Sequence, residues 1–335
     1  MRPALLVIAA VLPAFSAAAA PSPSPEPALE QAGEERASAA PAMGDRARFL
    51  LSQDRFHEDS EVLWPGFLSG LRGFEHFHFP VGNPIYFEPP TNESHVRLLY
   101  LHHNFADGSQ LQGGDLDVIA AQARLALTER LSLIATKDGY SWLDTGLLGE
   151  DEGVNDLAAG LKYTFYVDRE ADLLMAAGAR YQIRSGDSGV LQGNVHELSP
   201  FFSIAKGFDR LHLIASVTDR IPLDSDDGNN ILQWDLHLDY DIAPDVLPGF
   251  APFIELHGLH YLSDGDRLPL SVGGVDYANL GSSDVSGSTV IWAGIGARWE
   301  LSPHASLGFA YEHALTNRNA DIFEDRITID FILRW

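Results

Sequence analysis

From Arg97 to the last residue, the chain runs in short segments in which apolar and polar side chains alternate. The plainest is ILQWDLHLDYDI, residues 231–242. Leu232, Trp234, Leu236, Leu238, Tyr240 and Ile242 share one parity; Gln233, Asp235, His237, Asp239 and Asp241 share the other. The chain ends in RITIDFILRW, where Ile327, Ile329, Phe331, Leu333 and Trp335 oppose Arg326, Thr328, Asp330 and Arg334. A period of two marks an extended strand whose two faces meet different surroundings. Such strands are expected at 97–105, 116–127, 131–138, 156–166, 172–184, 195–205, 211–221, 231–242, 251–262, 288–299, 305–314 and 324–335.

The connections alternate in length. TER (128–130), DRE (168–170), GFDR (207–210), APDVLPGF (243–250) and SPH (302–304) are short; 138–155, 185–194, 224–230 and the stretch after Ser263 are longer, Gly-rich and acidic. Strands of about ten residues with short turns at one rim and long loops at the other predict a transmembrane antiparallel up-and-down β-barrel of about 12 strands. A soluble sandwich gives no reason for that rhythm. In a membrane barrel the apolar parity faces lipid and the polar parity lines the lumen. The wall must close, because a free sheet edge in hydrocarbon leaves peptide groups unsatisfied. The last strand is therefore expected to pair with the first near Leu98–Leu101. Trp234, Tyr261, Trp299, Tyr311 and Trp335 are expected at the interfaces.

Upstream of the barrel (96–335) the texture changes. Residues 1–20 have the charged start, apolar run and small-residue tract of a signal peptide. Residues 21–47 are Pro-, Ala- and Glu-rich and predict a disordered linker. Residues 48–95 are aromatic and broken by Pro and Gly, which predicts a short helix with irregular segments. Trp64, Phe67, Phe74, Phe77, Phe79 and Phe87 need burial somewhere. This segment is expected to be a plug in the barrel or a collar along its rim.

Composition narrows the function classes. The 335 residues contain no cysteine, which removes disulfides, thiol catalysis and thiolate metal sites. A formal charge of −25 argues against nucleic acid as a partner. No stretch after the leader is long and apolar enough for a membrane helix.

The final ITIDFILRW resembles the C-terminal recognition strand of Gram-negative-type outer-membrane barrels. That resemblance implies an insertion signal at Ile329, Phe331, Leu333 and Trp335, with the insertion machinery and outer-membrane lipid as partners. The segment DLAAGLKYTFYVDREADLLMAAGARYQI resembles strand–turn–strand units of outer-membrane transporters grouped with the MetA pathway of phenol degradation. NPIYFEPPTNESHVRLLYLHHNF and FIELHGLHYLSDGDRLPL resemble outer-membrane proteins of the same broad type. The resemblance implies uptake of small hydrophobic or aromatic solutes.

The polar parity supplies the candidate chemistry. Arg124, Lys162, Arg180 and Arg184 are expected on one wall of the lumen. Asp235, His237, Asp239, Asp241, Glu255, His257, Glu312 and Asp330 are expected on the other, with Arg298, Arg326 and Arg334 among them. Walls of opposite sign would either orient polar solutes or pair across a plugged lumen. His76 and His78 would share one face of a strand, but no third ligand stands at fixed spacing, so no metal or other cofactor is expected. DSDDGNN (224–230) departs from the EF-hand register. There is no G-x-S-x-G and no ordered Ser–His pair, so a channel is expected ahead of a barrel hydrolase.

Overall fold

The computed structural model describes residues 68–242, 245–316 and 322–335. The leader, the linker, Trp64 and Phe67 lie outside the described residues. The strands are β1 His95–Phe105, β2 Gly114–Ala126, β3 Leu131–Lys137, β4 Tyr140–Thr145, β5 Gly149–Val154, β6 Leu157–Asp168 and β7 Leu173–Ile183. They continue as β8 Glu197–Phe208, β9 Leu211–Pro222, β10 Ile231–Tyr240, β11 Phe250–Tyr261, β12 Thr289–Ser302, β13 Ala305–Ala314 and β14 Asp325–Arg334.

All pairings between these strands are antiparallel, and β1 pairs with both β2 and β14, so the sheet closes. Asp138 and Gly139 break one wall strand into β3 and β4, which share β2 as neighbour; β5 and β6 likewise belong to one strand. Counted this way the wall is a closed, up-and-down barrel of twelve strands. At the seam Leu98 faces Phe331 and Leu101 faces Thr328, and the Trp335 backbone N–H donates to Ser94 O. The expected long loop at 138–155 is instead the β4–β5 hairpin, turning at Gly146–Leu148. Gly139, at φ +105°, turns the chain where its Cα faces Ile119 O and Ala120, a site with no room for a Cβ.

Burial alternates with the parity read from the sequence. On β14, Arg326, Thr328 and Asp330 are buried, while Ile329 is exposed. Leu161, Tyr163, Phe202, Ile254, Ile295, Phe309 and many others form an exposed apolar outer face. A water-soluble chain rarely shows a continuous patch of this kind. Trp234, Trp299 and Tyr311 stand on that face. Trp234 lies over Gly258 on the neighbouring strand, whose missing side chain makes room for the indole.

Tyr261 departs from expectation. It has the inward parity of Glu255 and His257, is 1% exposed, and donates its hydroxyl to Gly274 O at 2.7 Å. Its strand parity, not its aromatic character at a strand end, decides its direction, and it points into the lumen.

Candidate functional site

The lumen is filled from both ends. From the short-turn rim, residues 78–94 rise into the barrel, turn at Pro84–Tyr86 and descend to β1. The described part of the N-terminal segment contains no helix: its Pro and Gly residues give turns and bends. From the long-loop rim, the β11–β12 connection folds inward, burying Val272, Val275, Tyr277, Ala278 and Leu280.

Residues 78–94 have no ladder of their own, so their polar groups find partners on the wall. Glu255 accepts from Val81 N–H at 3.0 Å and Gly82 N–H at 2.8 Å. The Asn83 side chain donates to Asp235. Arg97 donates to Val81 O and Arg298 to Phe79 O, at 2.9 and 2.6 Å. On the descending arm, Glu88 meets three cations from three strands. Arg124 Nη2 lies 2.9 Å away, Lys162 Nζ 2.7 Å and Arg180 Nη2 3.4 Å. Lys162 also donates to the carbonyls of Pro89 and Thr91, at 2.9 and 2.6 Å. The Phe79 ring lies under Arg97 and Arg124, with guanidinium carbons 5.3 and 4.7 Å from its centroid.

Arg124, Lys162 and Arg180 therefore meet Glu88 of this segment rather than the acidic wall. Arg124, Lys162, Arg180, Arg298, Asp235, His237, Asp239, Glu255, His257, Glu312 and Asp330 are all buried on the inner face. His237 bridges Glu255 at 2.7 Å and Asp239 at 3.1 Å, and His257 contacts Asp235 at 2.9 Å. Asp330 joins Arg298 at 2.8 Å to Arg97. Arg184 does not join this group. It stands past the end of β7, half exposed, 3.4 Å from Asp227, because the wall ends before its inward parity reaches the lumen.

Several partners were not among the residues singled out from the sequence. Glu88 lies in a Pro-flanked stretch without period, and Glu197, Arg220 and Tyr86 form a second buried group in which Tyr86 donates to Glu197 at 2.6 Å. Asp276, on the inward-folded loop, pairs with Arg326 at 2.7 Å. Burial opposes ionisation of Asp276, yet Arg326 holds its carboxyl below the ordinary value. Only Arg220 and Glu197 sit on strands whose inward parity could have flagged them.

Polarity also changes along the lumen. Near the long-loop rim the inward positions turn apolar: Leu99, Leu101, Phe105, Leu116, Val118, Leu259 and Trp292 pack with the inward-folded loop. A cavity of about 20 Å³ under Pro84 and Ile85, bordered by Leu99, Leu101, Val118 and Tyr277, has the size of one water.

The wall is thus a closed barrel, apolar outside and charged inside. The barrel fold is similar to that of a solved outer-membrane channel. The structure of such a channel from Pseudomonas putida F1 aligns with a TM-score of 0.54 at 13% identity, covering 77% of this chain and 100% of that one. The NanC porin aligns with a TM-score of 0.43 at 10% identity, covering 72% of this chain and 100% of that one. At these identities the first likeness concerns the barrel fold alone. The sequence matches no protein-family model and no curated protein.

Proposed function

We propose that the protein is an outer-membrane barrel of a Gram-negative-type bacterium that passes small solutes, and that residues 68–94 are the plug that closes it. The observation that carries this reading is the inversion of polarity across the wall. Exposed Leu161, Ile254 and Phe309 suit hydrocarbon, while buried Arg124, Glu255 and Asp330 face inward. Residues 1–20 then serve as export signal and 21–47 as linker. Ile329, Phe331, Leu333 and Trp335 form the strand read by the insertion machinery. The short-turn rim faces the periplasm, which puts the plug on that side.

The lining of the lumen supports one solute class. Its outer half is apolar and aromatic, and its inner half holds Arg124, Lys162 and Arg180 around one carboxylate. That combination suits small hydrophobic or aromatic compounds bearing a carboxylate, in keeping with the resemblance to MetA-pathway transporters. Conduction then requires the plug to withdraw and Glu88 to leave its three cations. Uptake by proteoliposomes tests the assignment. Benzoate-like anions should enter faster than sugars or organic cations of similar size. Equal entry of all three removes the solute assignment. No entry of any, even with the plug deleted, supports a barrel that the plug only stabilises.

A further inference from the structure

At the foot of the plug, near the short turns, His78 meets the end strands of the wall. His78, His212 at the start of β9 and Asp241 just past β10 each place a donor atom within 4.8 Å of the other two. Both imidazoles are buried, and Asp241 is partly open to the rim. His78 Nε2 lies 2.9 Å from Asp241 Oδ1, and the two imidazole centroids are 5.9 Å apart. Two further carboxylates stand behind these rings. Asp239 Oδ1 is 2.7 Å from His212 Nδ1, and Glu300 Oε1 is 3.6 Å from His78 Nδ1.

His212 Nε2 has no hydrogen-bond partner although the side chain is fully buried. A buried polar atom without a partner is unusual and calls for an occupant. With Nδ1 held by Asp239, Nε2 is the nitrogen whose lone pair is free. We propose that His78, His212 and Asp241 bind one divalent transition-metal ion of the zinc class, clipping the plug to the barrel wall. Two imidazoles and one carboxylate suit zinc, copper or nickel; calcium and magnesium prefer oxygen donors throughout. Ligand distances of about 2.0–2.2 Å need the donors drawn closer than they stand. Asp239 supplies the carboxylate partner that fixes the His212 imidazole, as expected for a ligating histidine. Partial exposure of Asp241 gives the ion an entry path and leaves a fourth position for water.

His78 belongs to the plug, and the other two ligands belong to the wall. The ion would thus join segments that are otherwise held by hydrogen bonds and ion pairs, whether or not the barrel conducts. The full-length protein, purified in detergent without a polyhistidine tag and stripped with EDTA, should be titrated with Zn²⁺ by calorimetry and with Co²⁺ by visible absorption. One equivalent of Co²⁺ should give ligand-field bands, and Zn²⁺ should abolish them. His212→Ala and Asp241→Asn should each lower affinity at least tenfold, and Asp239→Asn by about 10–100-fold. His102→Ala, in the separate outward cluster with Asp115 and Asp117, should leave binding unchanged. Wild-type protein that gives no Co²⁺ bands overturns the proposal. So does binding that survives both ligand variants, or that disappears only with His102→Ala. Asp241 lies at the rim, so Asp241→Asn remains informative if His212→Ala fails to fold.

Discussion

Neutralising Glu88 should release the plug. Its carboxylate is fully buried among Arg124, Lys162 and Arg180. Glu88→Gln keeps the shape and removes the charge. The cations retain weaker acceptors: the carbonyls of Pro89 and Thr91 for Lys162, Tyr86 O for Arg180, and the Gln122 side chain for Arg124. Removing one partner of a buried ion pair costs about 3–5 kcal/mol, because a charge is left without compensation. At about 1.4 kcal/mol per decade, the withdrawn state should gain roughly 10²- to 10⁴-fold over the seated one. The chain has no cysteine, so a single Val81→Cys reports on the plug. Val81 is fully buried against Phe253 and Ala310, and a maleimide reaches it only when the plug moves. Labelling should accelerate by that factor in Glu88→Gln and far less in Glu88→Asp, which keeps the charge. Equal rates in the parent and Glu88→Gln would refute the latch. So would a Glu88→Asp variant that labels as fast as Glu88→Gln.

Gly258→Val places a Cβ about 2.4 Å from the Trp234 ring, and overpacking of this kind should cost about 1–3 kcal/mol in urea unfolding. Trp335→Ala or Phe331→Ala should slow assembly into vesicles while leaving the preassembled barrel's thermal stability close to the parent's. Arg326 holds Asp276 below its ordinary pKa, so this contribution is present above the unfolded carboxylate range and is lost as pH falls through the folded value. Acid should therefore increase hydrogen exchange in the β11–β12 loop, and Asp276→Asn should remove that pH dependence.

Alternation is a local property, and what depends on it alone was legible. Period two put Arg124, Lys162, Arg180, Asp235, Glu255 and Asp330 on the inner face, because each side chain's direction follows from its neighbours; the pairing of Leu98 with the last strand came from the need to close the wall. Tyr261 was legible too, since it shares parity with Glu255 and His257; its aromatic character drew it outward against that signal. Arg184 has the right parity but lies beyond the wall, a boundary that periodicity marks poorly. Glu88 could not be placed. Its surroundings, NPIYFEPPTN, have no period, and its partners depend on how far the plug climbs before turning. His212 and Asp241 come near His78 only when the plug is seated, which sequence spacing cannot express. The acidic, Gly-rich stretch 138–155 reads as a loop, yet it pairs as a hairpin because Tyr140–Thr145 lies against the first half of β2.

Single-channel current in planar bilayers tests the central claim most directly, comparing full-length protein with a variant lacking residues 68–90. The account predicts a largely closed trace with rare openings for the first, and steady, larger steps for the second. Full-length protein that conducts steadily, with a current unchanged by removing the plug, would contradict it.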